Sequence, residues 1–184
     1  IYREIPIKYE DKYKNNLNLR VNIISVTDEK GNPYKFETTY PSNDIKLKIG
    51  DADLTWDKPK TYLIKYQVGR AINHFNSNSD FTSHDELYWN VTGNAGTVDI
   101  LNSTATIKLP KTSNSKDFMI SCYTGYGYSK EQNCKTEIID NQTVKFTSLK
   151  ELNPGEGFTV VFGFPENIIS HPSAINELIW FLID

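Results

Sequence analysis

Asp85-Glu86-Leu87-Tyr88-Trp89-Asn90-Val91-Thr92-Gly93, with Thr97-Val98-Asp99-Ile100 after it, is the stretch on which the fold turns. Leu87, Trp89 and Val91 alternate with Glu86, Tyr88 and Asn90, the period that buries one face of a β-strand and solvates the other. Gly93-Asn94 ends the run as a turn signal. A Trp flanked by aliphatic residues at this period anchors a sheet core, so the flanking sequence is expected to supply strands that pack around it.

Upstream, Tyr2-Arg3-Glu4-Ile5-Pro6 reads as an edge strand or arm, because Pro6 holds Ile5 extended and bars a helix. Leu17, Leu19, Val21 and Ile23 alternate with polar residues, and Ile24 and Val26 then take over the apolar phase; a flip of one residue inside a strand predicts a β-bulge. Tyr34 to Tyr40, Ile45 to Ile49 and Tyr62 to Val68 alternate likewise, each bounded by Gly, Pro or Asp. Asn73 to His84 reads as a long polar loop delivering the chain to the central strand. Downstream, Ala105 to Leu109, Phe118 to Cys122, Val144 to Phe146 and Phe158 to Phe164 read as strands, with a hairpin at Asp140 to Gln142 and a strong turn at Pro154-Gly155-Glu156-Gly157. The segment between the cysteines, carrying Tyr123, Tyr126 and Tyr128, reads as a loop. Nine or ten short strands predict an all-β fold, an antiparallel two-sheet β-sandwich of immunoglobulin-like or jelly-roll-like type over residues 1–172. The exception is Ser173 to Leu182, where Ile175, Leu178, Ile179 and Leu182 fall at helical spacing behind an N-cap serine and predict a short helix.

At 184 residues the chain suits one well-buried domain, and 38% hydrophobic with 12% aromatic residues excludes a disordered chain. A formal net charge of −3 supplies no field for nucleic acid or an anionic membrane. No signal peptide and no apolar run long enough to span a bilayer is visible, so the chain as given is expected to be soluble. The only two cysteines, Cys122 and Cys134, are compatible with one disulfide or with two ordinary thiols.

His84-Asp85-Glu86 is the densest group of metal-ligand or acid–base residue types. On a strand His84 and Glu86 share a face while Asp85 points away, so that pair supplies at most two convergent groups, and the solvated loop-to-strand junction is the favoured reading. His74 and His171 are isolated, and no zinc-signature spacing links them to the cysteines. No nucleophile elbow, phosphate loop or dinucleotide fingerprint is present, and no cofactor is expected. The sequons at Asn90, Asn102 and Asn141 arise freely in an Asn-rich chain. Trp56, Tyr123, Tyr126 and Tyr128 are the ligand-binding candidates, since flat rings on a rigid scaffold offer large area with few rotamers to freeze. Packing of these rings over the sheet ends is the competing reading.

Taken together, Tyr2-Arg3-Glu4-Ile5-Pro6, the Tyr62 to Val68 strand, Asp85 to Gly93, Cys122-Tyr123-Thr124-Gly125 and Leu152-Asn153-Pro154-Gly155-Glu156-Gly157-Phe158-Thr159-Val160 resemble the "domain of unknown function 2207" family of bacterial predicted membrane proteins. The resemblance implies an extracytoplasmic region that follows a signal peptide and precedes transmembrane helices and a cytoplasmic tail; it transfers no catalytic residues. The family's Trp soon after the central glycine is replaced here by Asn94-Ala95-Gly96-Thr97. Its Arg-Glu-Ile-Pro motif normally follows a pair of strands, whereas this chain starts almost on the motif, so an unpaired sheet edge is expected. The implied oxidising compartment predicts a Cys122–Cys134 disulfide closing the tyrosine-bearing loop. The expected function is a non-enzymatic extracytoplasmic module that binds a protein, peptide or glycan, with residues 173–184 leading to a membrane anchor. A cell-envelope hydrolase or metal-dependent enzyme using His84 and Glu86, and a structural spacer or assembly domain, are the alternatives.

Overall fold

The computed structural model describes residues 1–10, 16–51, 53–54, 57–77, 82–173 and 175. Among them the chain is all-β, every strand pairing is antiparallel, and Ser115–Asp117 forms a 3₁₀ turn. Two compact units divide it, Ile1–Arg70 and Ala71–Asp184.

The first unit holds β1 (Tyr2–Pro6), β2 (Lys8–Glu10), β3 (Asn16–Asn18), β4 (Arg20–Thr27), β5 (Phe36–Thr39), β6 (Asp44–Ile49) and β7 (Leu63–Gly69), in sheets ordered β1-β6-β5, β2-β3 and β4-β7. Ile45, Leu47 and Ile49 of β6 are buried, as their period predicts, together with Ile5 and Val26. β1 is an edge of its sheet, as read from Pro6. The phase flip in β4 is a bulge: Ile23 pairs with Tyr66 and Ser25 with Lys65, which leaves Ile24 as the extra residue. The consequence is visible in burial, with Ile24 exposed and Val26 turned inward.

The second unit holds β8 (Ile72–Phe75), β9 (His84–Asn90), β10 (Thr104–Lys108), β11 (Met119–Gly125), β12 (Cys134–Ile138), β13 (Thr143–Ser148) and β14 (Gly157–Pro165). One sheet runs β11-β14-β9-β8 and the other β10-β13-β12. Val144 and Phe146 from the second sheet meet Cys122, Phe158, Val160, Phe162 and Phe164 from the first in one core, joined by Leu109, Leu152 and Ile168. Cys122 of β11 and Cys134 of β12 form a disulfide, so the bridge ties one sheet to the other.

Several expectations are corrected here. The core is organised on β14 rather than on β9: Phe158, Val160, Phe162 and Phe164 are fully buried or nearly so, whereas Trp89 and Val91 only pack partly against the cluster. Both strands are interior to the four-stranded sheet, but β14 is flanked along most of its length by β11 and β9, whereas the outer neighbour of β9 is the four-residue β8. Asn73 lies in β8, so the polar loop starts later than its composition suggests. Tyr123 lies in β11, which runs three residues past Cys122 because Tyr123, Thr124 and Gly125 pair with Thr159, Phe158 and Gly157. Of the segment Thr97 to Ile100 that follows the central stretch, only Ile100 joins the sheet ladders, through an isolated bridge to Leu152, and Val98 is exposed. The helix expected over Ser173 to Leu182 is not supported by the described residues, and nearly all of it, like Trp56, lies outside them.

Candidate functional site

Alternation along β9 puts Asp85 in phase with Leu87 and Trp89, on the face that turns to the core. Its register partners are Phe164 of β14 and His74 of β8, so a carboxylate occupies a row whose next member is a buried phenyl ring. The Asp85 side chain is 0% exposed. Carrying a carboxylate out of water costs several kcal/mol unless charge and hydrogen bonds compensate it.

Two imidazoles supply that compensation. His74 stands directly across the β8–β9 ladder, where same-face side chains meet, and its Nδ1 lies 2.6 Å from Asp85 Oδ1. His171 arrives from the other side of the sequence. Pro165 ends β14, Asn167 takes a left-handed conformation (φ 69°) in the turn that follows, and Ile168 is buried in the core cluster. That anchor returns the chain so that His171 Nε2 lies 3.0 Å from Oδ1 and 3.2 Å from Oδ2 of Asp85. The two rings pack with centroids 3.9 Å apart at a tilt of 39°. Their side chains are 32% and 40% exposed, so the cluster has a buried floor and an open top.

His84 and Glu86 lie on the opposite face. His84 stacks on Phe75 at 4.9 Å and its Nδ1 is 2.9 Å from the Thr82 carbonyl. Burial pushes the Glu86 carboxyl above its ordinary value, with the nearby His84 opposing the shift. Among the described residues no third metal-ligand group joins this pair, whereas His74, Asp85 and His171 offer donor atoms all within 4.8 Å of one another. Sequence reading set His74 and His171 aside because neither has a neighbouring ligand in the chain. The available signal was Asp85 itself, a carboxylate in the apolar phase of a strand.

The other end of β14 carries the tyrosines. Gly125 pairs with Gly157, and the segment beyond Gly125 leaves the sheet and returns through a bridge in which Thr124 N donates to Glu131 O at 2.7 Å. Within that loop Ser129 N donates to Tyr126 O at 2.9 Å, and Thr124 Oγ1 accepts from Asn133 N at 3.2 Å. Tyr126 is 61% exposed, and Tyr128, in a left-handed conformation (φ 66°), is fully exposed. Tyr123 lies on the strand, next to Tyr88 on the solvent face; partial burial raises the Tyr88 hydroxyl above its ordinary value, and Tyr123 and Glu86 add to the effect.

Asn94, in the turn that follows β9, ties this end together. Its Nδ2 donates to Gly155 O at 3.0 Å and Gly125 O at 3.3 Å, and its Oδ1 accepts from Asn90 Nδ2 at 2.6 Å. A Cβ on Gly157 would stand 2.8 Å from that amide, which is why the turn needs glycine there. Glu156, buried, accepts from Asn153 N at 2.8 Å and Asn153 Nδ2 at 3.1 Å and closes the turn.

No curated protein and no solved structure shows a significant match to the chain. Among the described residues no helix is long and apolar enough to cross a membrane. The family described as "Predicted membrane protein (DUF2207) N-terminal domain" matches residues 1–164, which include β1, β9, both cysteines and the Pro154–Gly157 turn. The chain therefore belongs to the DUF2207 family of predicted membrane proteins.

Proposed function

We propose that this chain is the extracytoplasmic, non-enzymatic recognition module of a membrane-anchored protein, and that it binds a protein, peptide or glycan through the tyrosine end of its second unit. The observation that carries this reading is the pair Tyr126 and Tyr128, solvent-facing on a loop whose feet are held by backbone hydrogen bonds. A tyrosine ring has only two side-chain torsions to freeze and a loop held at its feet has less backbone freedom to lose on contact, which is what a binding surface requires. The disulfide supports a compartment outside the cytoplasm, where such bonds form and persist, and the family description supports the membrane tether. In the same reading the two sheets of Ala71–Asp184 form a two-sheet sandwich, and residues 173–184 lead toward the anchor.

The test is capture of cell-envelope components by the immobilised chain, compared with a Tyr126→Ala/Tyr128→Ala double variant. Material retained by the wild type and lost by a variant with an unchanged melting temperature supports the reading. Equal retention by both overturns it.

A further inference from the structure

We infer that His74, Asp85 and His171 form a binding site for a divalent transition-metal ion of the Zn²⁺ type. The site is independent of the tyrosine surface.

One buried carboxylate needs one positive charge, and a single imidazolium in hydrogen-bond contact would supply it. Here two imidazole nitrogens converge on the same oxygen, at 2.6 and 3.0 Å, and the rings stack at 3.9 Å. The second ring thus brings a nitrogen donor beyond the one counter-charge that Asp85 requires. A divalent cation bound by two neutral imidazoles and one carboxylate uses every group without placing like charges face to face.

Donor chemistry selects the ion. Two nitrogens and one carboxylate oxygen match zinc sites that retain an open position, and the two-His, one-carboxylate set of other first-row metals. Ca²⁺ and Mg²⁺ require shells made largely of oxygen and are disfavoured. Around a tetrahedral ion with bonds near ~2.1 Å the donors stand about 3.4 Å apart. The three donor atoms, all within 4.8 Å of one another, straddle that spacing: the Asp–His contacts must open slightly and the widest separation must close. Asp85 is fixed by the β9 ladder, while the partly exposed imidazoles have room to make this adjustment. The same exposure gives the ion its entry and leaves its fourth position to water.

His74 is placed by cross-strand register, and His171 follows the buried Ile168 by three residues.

Isothermal titration of chelator-treated protein with Zn²⁺ tests the site, with Co²⁺ absorption as the reporter of an inner-sphere nitrogen and oxygen set. One saturable Zn²⁺ equivalent is expected, unaffected by excess Ca²⁺ or Mg²⁺. His171→Ala should weaken binding more than roughly 100-fold, beyond the range of an outer-shell partner. Because Asp85→Asn could disturb the core, His171→Ala and His74→Ala, at part-exposed rings, are the deciding variants, each first shown to melt cooperatively. No saturable binding by the wild type, or binding that both variants retain, overturns the inference. Tyr126→Ala/Tyr128→Ala should leave Zn²⁺ affinity unchanged whatever becomes of the recognition reading.

Discussion

At the Gly157 end of β14 each working piece is contiguous in the sequence, and Asn94 joins the pieces through hydrogen bonds to Gly125 and Gly155. At the Phe164 end, about 23 Å away along the strand, one carboxylate is met by imidazoles 11 and 86 positions distant in the chain. The first end presents apolar rings to solvent on a loop held by main-chain bonds, and the second keeps its charge buried and lets only the imidazole edges out. One strand thus carries two kinds of chemistry that share a core and no side chains.

If both ends hang from β14, damage at its middle should reach both. Phe162, fully buried between β11 and β9, packs edge-on to Phe118 at 4.9 Å. Phe162→Ala is expected to cost about 3–5 kcal/mol in chemical denaturation and to weaken zinc binding and envelope capture together. A variant that lost one activity and kept the other at full strength would break the link through the strand.

The next effect should be confined to one end. Replacing Cys122 and Cys134 with Ser opens a bridge of sequence separation 12, and the returned chain entropy should lower stability by roughly 3 kcal/mol. Zinc affinity of the folded double variant should stay within twofold of the parent, roughly 0.4 kcal/mol. A parallel fall in zinc affinity would show that the ends are coupled.

Smaller again is the turn. Glu156→Ala removes a buried side chain that accepts from two Asn153 donors, and a melting series should register about 1–3 kcal/mol. Smallest is Tyr126→Ala/Tyr128→Ala, expected within about 0.5 kcal/mol of the parent because exposed rings bury little area. A large loss there would return these rings to the packing and remove the basis for a recognition surface.

The two ends were unequally legible, for a physical reason. Strand phase is a local property, so the inward face of β14, the bulge at Ile24 and the outward Tyr88 all follow from alternation. The disulfide followed from compartment, which the family resemblance supplied. Pairing partners are not local. Nothing in the order of residues says that β14 rather than β9 has a long strand on each side, or that Tyr123 continues β11 by pairing with Thr159. His74 and His171 were invisible as ligands because their convergence depends on the β8–β9 register and on a turn anchored by Ile168. Asp85 was legible as an anomaly, a charge in an apolar phase, and its partners could have been sought on that ground.

The most direct test of two separate ends on one strand is a backbone amide ¹H–¹⁵N correlation spectrum of the chain titrated with Zn²⁺. The account predicts shifts that saturate at one equivalent and cluster on Phe75, Asp85, Phe164 and residues 169–171, with Gly125 to Glu131 unmoved. Shifts of equal size in the tyrosine loop, or a spectrum unchanged by excess Zn²⁺, would contradict it.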